Sequence, residues 1–272
     1  GTRRFLINTK SGALTSWQKN GVEILYGILE PYFWKPANNN QMYNNYNQRL
    51  GKWKDAAKER VVKDVAFSIK EGLGIVKVDM LLPTIGASYQ LIYTINGAGR
   101  IQVEASYSPE EKSIPLMPKF GMRMRLPAEM KHIKWYGRGE FENYPDRKSA
   151  AFIGCYEKDV NEFVTEYLYP QDNANRCDVR WFSLSGKNNK KIRITGLQPL
   201  CFRVWPYDEN DLETSRHAYE LPERDYLNVN IDLNIHGVGG NDSWGARTLN
   251  KYTIDGNQSY SYGYIMEYHS NN

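Results

Sequence analysis

The chain has 272 residues, with 35 Lys and Arg against 31 Asp and Glu, so its net charge of +4 is small and scattered. That length can bury a sizeable core and suits one large β-sandwich, and the absence of a basic block among aromatics argues against a nucleic-acid partner. No apolar run approaches the roughly 18 residues that cross a membrane as a helix, while 20 Tyr and 7 Trp supply side chains that suit strands and sugar surfaces.

In chain order, TRRFLINTKSG opens as a strand with no initiating Met and no signal peptide. Gly1 reads as an expression remnant, and the chain is expected to be part of a longer polypeptide. PANNNQMYNNYNQ (36–48) reads as a structured polar loop, and NNYNQRLGKWKDAAKER (44–60) as a helix with Leu50, Trp53 and Ala57 on one side. The stretches GIVKVDMLL, SYQLIYTI, RIQVEAS and KFGMRMRL alternate with period two and read as strands. WYGRGEFENYPDRKSA (135–150) joins two strands as a charged loop, and DVRWFSLS and LCFRVW follow as further strands. DENDLETSRH (208–217) starts with cap residues and reads as a short helix. LNVNIDLNIHG sets Leu227, Val229, Ile231, Leu233 and Ile235 against Asn228, Asn230, Asp232 and Asn234, the pattern of a half-buried strand with one wet face. SYSYGYIMEY reads as the last strand. Short strands punctuated by Gly, Asn and Pro argue for an all-β fold of antiparallel sheets, and no fixed repeat or linker divides the chain.

Few motifs carry chemistry by spacing alone. Cys155, Cys177 and Cys201 form no CxxC pair and read as buried thiols, leaving room for one disulfide. The four histidines share no zinc spacing. Glu140, Glu142 and Asp146 offer carboxylates for glycoside hydrolysis, but the first reading is that these charges, with Arg138 and Arg147, pair among themselves and fix a long loop. Asn38, Asn39 and Asn40 read first as turn residues and second as ligands of sugar hydroxyls. His217, beside Glu220, reads as a capping or core residue before it reads as a general base. HGVGGNDSWG (236–245) places an indole in a glycine-rich loop. Trp244 either folds back on its own chain or stacks on a sugar, worth about 0.5–1.5 kcal/mol beyond area burial if aromatic-pair energetics transfer. Asn241, Asp242 and Ser243 would then contact hydroxyls or shape the loop.

Five segments taken together resemble one family. YGRGEFENYPDRKSA is similar to the G-x-G-x-x-E-N-Y-x-D-R stretch in the C-terminal domain of bacterial β-galactosidases of glycoside hydrolase family 2. FWKPANNN, YLYPQDNANRCDVRW, SRHAYEL and GVGGNDSWG resemble further motifs of that domain in the same order, and TKSGALTSWQKNGVEIL resembles its first strands. The resemblance implies a large antiparallel supersandwich of the galactose-mutarotase type spanning 1–272 as one domain. It implies no catalytic residue in this chain: the two glutamates of the retaining reaction would lie on a preceding TIM-barrel domain, the main partner besides a β-galactoside substrate. Trp244 would then close one wall of the galactoside pocket. Glu142, Asn143, Tyr144, Asp146, Arg147, Asn38, Asn39, Asn40 and His217 would be structural or interfacial. No cofactor is expected in this domain, with Mg²⁺ and Na⁺ at the barrel of the whole enzyme. The compartment, bacterial cytoplasm or periplasm, is left open. Two departures stand out: the family's D-N-D reads Asn38-Asn39-Asn40, and the first Asp of G-G-D-D-S-W is Asn241. A free-standing carbohydrate-binding module and an aldose 1-epimerase-like enzyme are the rival readings.

Overall fold

A computed structural model describes residues 2–242 and 244–270. The chain opens with β1 (Arg3–Ile7), β2 (Leu14–Lys19), β3 (Val22–Glu23) and β4 (Gly27–Tyr32), then the short helices α1 (Asn39–Met42), α2 (Tyr46–Leu50) and α3 (Lys52–Ala56). A long meander follows: β5 (Val61–Lys70), β6 (Leu73–Leu82), β7 (Ala87–Ile95) and β8 (Ile101–Pro109). Next come β9 (Lys119–Pro127), β10 (His132–Gly139), β11 (Phe152–Asp159), α4 (Val160–Phe163), β12 (Arg176–Ser185) and β13 (Lys191–Trp205). The chain closes with α5 (Glu209–Thr214), β14 (Tyr226–Ile235) and β15 (Tyr260–His269). The expected 44–60 helix is two short ones meeting at Gly51, with Leu50, Trp53 and Ala57 buried as their spacing predicts. The segment read as a polar loop contains α1. Asn38 caps it, accepting from Gln41 N at 3.0 Å while Gln41 Oε1 accepts from Asn38 N at 3.2 Å, a reciprocal capping box.

Every ladder is antiparallel, and the strands form one sheet with the main path β1-β2-β4-β9-β14-β13-β15-β8-β7-β6-β5. β13 is the branch point. Its first half pairs with β15 (Lys191↔His269 to Gly196↔Tyr264), its last residues pair with β14 (Cys201↔Asp232 to Trp205↔Asn228), and β12 takes its other edge. One 15-residue strand thereby serves two parts of the sheet, which curls over its own apolar face. Period-two burial fills the interior: Tyr89, Leu91 and Tyr93 of β7 lie opposite Tyr107, Ala105 and Val103 of β8, all buried. Phe120 sits at the centre of an aromatic cluster, with ring centroids to Phe33, Tyr89, Tyr107, Tyr260 and Tyr262 of 5.3–6.3 Å, within the range of favourable aromatic contact.

Of the four polar residues expected on a wet face of β14, Asn234 alone is exposed. Asn228, Asn230 and Asp232 are each 0% exposed. They belong to a polar row across four strands, Glu30↔Arg123↔Asn230↔Arg203, roofed by the 33–46 segment and α5. Glu209 of α5 accepts from Asn228 Nδ2 at 2.9 Å and Asn230 Nδ2 at 3.3 Å. Lys119 Nζ donates to Asn230 Oδ1 and Asp232 Oδ1, both at 2.6 Å. Alternation was read correctly; its solvent partner was not. A polar face turned to complementary buried charge has the same sequence pattern as one turned to water. Burial pushes Lys119 down to about 8 and Asp232 upward, the desolvation cost that their mutual attraction offsets. β14 then runs out at His236, 3% exposed, with Nδ1 2.9 Å from the Gly237 carbonyl and its ring edge-on to Tyr46.

Asp232→Ala leaves Lys119 and Arg203 as buried cations short of one anion, so unfolding in urea should lose about 3–5 kcal/mol, read as a lower midpoint at unchanged slope. A second test is pH. Burial, chiefly, with Lys35 and Arg49 nearby, pushes His236 from 6.5 down to about 4, against the opposing Gly237 carbonyl and Asp146. Its folded-state value is therefore depressed. Between about 4 and 6.5 the unfolded chain binds a proton that the folded chain refuses, so stability is full above that window and falls as pH drops through it. His236→Asn should flatten that part of the stability–pH curve by roughly 2–3 kcal/mol.

Candidate functional site

The loop after β14 is held by three other segments. Asp146 accepts from Val238 N at 3.0 Å and from Gly239 N at 2.8 Å, one backbone amide per carboxylate oxygen. Asn38 and Asn40 both donate to the Val238 carbonyl at 3.3 Å, and Gln41 Nε2 donates to the Gly237 carbonyl at 3.1 Å. Thr248 Oγ1 closes the loop onto the same Gly237 carbonyl at 3.1 Å. Gly240 and Gly245 take φ of +99° and +90°, which a β-carbon disfavours, and a Cβ on Gly245 would lie 2.5 Å from the Tyr43 carbonyl oxygen. At the tip, Asp242 Oδ1 accepts from Trp244 N at 2.8 Å and Ala246 N at 3.0 Å. Those backbone bonds, Ala246 first, hold the Asp242 carboxyl below its usual value. Asn241 and Asp242 are exposed, and Trp244 is 90% exposed. Ser243 lies outside the described residues. The reading in which Trp244 folds back onto its own chain is therefore not what the structure has.

Beside this loop is a polar cleft of about 410 Å³ into which four of the five sequence motifs converge: Asn38, Asn39 and Asn40 from the first, Glu142, Tyr144 and Arg147 from the second, Tyr167, Gln171 and Asp172 from the third, and Val238 to Gly240 from the loop. Glu142, 6% exposed, accepts from Arg147 at 2.7 Å, from the Tyr167 hydroxyl and from Ala174 N at 2.8 Å. Asn143 accepts from Cys177 N at 2.8 Å, and its carbonyl accepts from Asn175 Nδ2 at 2.7 Å. Tyr144 is buried, and burial raises its phenol well above the usual value. The cleft floor rests on the buried charges: Lys35 lies 3.4 Å from Asp172, Asp172 pairs with Arg203, and Arg203 lies 3.6 Å from Asp232, all four side chains being 0% exposed.

This arrangement defines what each carboxylate does. Asp146 spends both oxygens on the Trp244 loop, Glu142 is saturated by three donors, and Glu140 is exposed with Lys158 at 4.0 Å. Within the 135–150 loop Arg147 pairs with Glu142, while Arg138 and Lys148 both pair with Asp178 outside it. His217 is exposed, stacks on Tyr219 at 5.2 Å and sits on a turn whose amides bind Glu220, apart from the residues lining the cleft. The three cysteines are free; Cys177 and Cys201 are buried and Cys155 is exposed. Among the described residues no group of three or more His, Cys, Asp and Glu could hold a metal ion. Residue-by-residue reading missed Lys35, Asp172, Arg203, Tyr167 and Gln171. Three of these lie inside the YLYPQDNANRCDVRW motif, so their signal was present. Lys35 likewise lies inside the FWKPANNN segment, whereas Arg203 looks like an ordinary interruption of an apolar run.

The beta galactosidase small chain family model matches residues 1–266. The chain is 32% identical to a beta-galactosidase of Priestia megaterium over 96% of its own length and 25% of that protein's. It is 31% identical to the beta-galactosidase of Lactobacillus delbrueckii subsp. bulgaricus over 93% of its length, again 25% of that protein. The chain thus spans about a quarter of the relatives it matches. Among solved structures, a galactose 1-epimerase from Lactobacillus acidophilus superimposes with a TM-score of 0.61 at 8% identity, covering 99% of this chain and 92% of that one. A Caenorhabditis elegans aldose epimerase homologue gives 0.56 at 10%, with full coverage of both. At such identities the likeness establishes the fold alone, the mutarotase-type antiparallel architecture. With the sequence motifs gathered around one cleft and the match running nearly end to end, the chain belongs to the beta-galactosidase small chain family.

Proposed function

We propose that this chain is the non-catalytic C-terminal part of a retaining β-galactosidase, in which it presents Trp244 as one wall of the galactoside pocket and packs on a TIM-barrel domain that carries the two catalytic glutamates. The observation that carries this reading is the indole: a large apolar side chain 90% exposed on a loop whose root is pinned by Asp146, Asn38, Asn40 and Gln41. A free surface seldom holds a Trp that way without something to cover it. Asn241 and Asp242 stand beside it, ready for sugar hydroxyls. The segments that line the cleft also carry exposed apolar side chains, Met42, Tyr43, Phe141, Leu168 and Tyr169. That rim suits packing against another domain of the same polypeptide. Two of the three candidate carboxylates, Glu142 and Asp146, are committed to holding loops, which favours chemistry performed elsewhere. Mg²⁺ and Na⁺ would belong to the barrel.

Two measurements test this. Hydrolysis of a nitrophenyl β-galactoside should be seen with the whole polypeptide and not with the 272-residue chain; turnover by the chain alone would return Glu140, Glu142 and Asp146 to candidacy. In the whole enzyme, Trp244→Ala should lower kcat/KM roughly 10- to 100-fold, the loss of a stacked, buried indole face, without changing thermal unfolding. Unaltered kinetic constants would overturn the pocket role of Trp244.

A further inference from the structure

Under the cleft lies a small apolar core separate from the main one: Tyr144, Cys177, Cys201, Ile235 and Val238. It joins the 140s loop, β12, β13 and the end of β14 to the root of the Trp244 loop. Cys177 and Cys201 sit within the register shift between the Arg176↔Phe202 and Val179↔Leu200 pairs, beside Asp178, whose φ is +53°. The Cys201 thiol donates to Cys177 Sγ at 3.5 Å, and Asn175 Nδ2 donates to the same sulfur at 3.3 Å. The Cys177 thiol in turn reaches the Asn143 carbonyl at 3.6 Å. A cavity of about 380 Å³, walled by both cysteines with Pro145, Lys148, Asp178 and Leu233, opens beside the pair.

We propose that Cys177 and Cys201 form a site of reversible oxidation, a dithiol that a small peroxide entering this cavity converts to a disulfide linking β12 to β13 beneath the Trp244 loop. The two sulfurs already lie 3.5 Å apart, so a small local movement brings them to the roughly 2.05 Å of a disulfide bond. Cys177 is the attacking sulfur, because two donors converge on it and solvate a thiolate there. The hydrogen bond to Cys177, and then burial, push the Cys201 thiol upward, so Cys201 keeps its proton and acts as the donor.

In the first step the Cys177 thiol loses its proton and the thiolate attacks one peroxide oxygen. The O–O bond breaks, leaving a sulfenic acid on Cys177 and a hydroxide that takes up the proton as water. In the second step the Cys201 sulfur attacks Cys177 Sγ. The S–S bond forms, the S–O bond breaks, and the departing hydroxide takes the Cys201 proton as a second water. Two thiols and one hydrogen peroxide give one disulfide and two waters, with two electrons passing from sulfur to oxygen.

The test treats the folded chain with hydrogen peroxide, blocks remaining thiols by alkylation and maps the peptides by mass spectrometry. Cys155→Ser removes the exposed thiol, and the unsubstituted chain, mapped the same way, serves should that variant fold poorly. The expected result is a linked pair of peptides bearing Cys177 and Cys201, with both thiols returning after dithiothreitol. A trappable sulfenic acid at Cys177 is expected in Cys201→Ser. Recovery of Cys177 and Cys201 alkylated and unlinked, or their separate irreversible oxidation, would overturn the proposal. A sulfenic acid found instead on Cys201 in Cys177→Ser, and none on Cys177 in Cys201→Ser, would overturn the assignment of the attacking sulfur.

Discussion

Burying the polar face of β14 is the constraint from which the rest of this molecule follows. Asn228, Asn230 and Asp232 lie in the middle of a sheet with no access to water, and an unpaired polar group there costs several kcal/mol. Groups from elsewhere in the chain meet them: Lys119 from β9 and Glu209 from α5 by hydrogen bonds, and Arg203 from β13 by charge, 3.6 Å from an Asp232 Oδ2 that makes no hydrogen bond among the described residues. The covering segments are therefore fixed in position by the charges they supply. Residues 33–46 cannot shift without moving Lys35 from Asp172, and α5 cannot lift without uncovering Glu209, which also binds Arg123 at 2.9 Å.

That fixed roof is what holds the cleft in shape. Lys35 Nζ donates to Gln41 Oε1 at 2.8 Å, and Gln41 passes the restraint on to the Gly237 carbonyl. Asn38, which caps α1 with its side-chain oxygen, uses its amide nitrogen on Val238. Amides at 38 and 40 do here what carboxylates could not, since both donate to one backbone carbonyl and a carboxylate only accepts. The family's acidic pattern at these positions and the Asn triplet here thus call for different hydrogen bonding to the loop. At the root of the loop the accepting carboxylate is Asp146, from a different segment, which takes the amides of Val238 and Gly239.

Much of this was legible in the sequence, and the part that was not has a common cause. Period-two alternation reported the strands and the apolar interior correctly, because inward positions such as Tyr89, Leu91 and Tyr93 must be apolar whatever lies outside them. The motifs marked the cleft, since four of them meet there. Alternation says nothing about what faces the polar side, so the burial of Asn228, Asn230 and Asp232 could not be read. Their partners lie from about 20 to more than 100 residues away in the chain. Arg203 is hidden for the same reason, since a lone charge within an apolar run carries no mark of its counterion, and the FWKPANNN motif that contains Lys35 does not name Asp172 as its partner. Apolar spacing continues across Gly51 and suggests one helix over 44–60, but the chain divides there into two short turns of helix.

An exposed indole on a tethered loop also has an energetic logic. Holding a flexible loop in one conformation on binding costs roughly 1–2 kcal/mol of backbone entropy per residue fixed, enough to cancel a stacking contact of about 0.5–1.5 kcal/mol. Here the ordering has been done by folding: the glycines supply the turns, Asp242 closes the tip, and side chains from segments 38–41 and 146 anchor the root. In the proposed role, the exposed apolar surface of Trp244 would gain its contact with little ordering cost. A disordered loop bearing the same residues would lose that advantage, and the buried hydrogen bonding gathered behind the indole is what the proposed role requires.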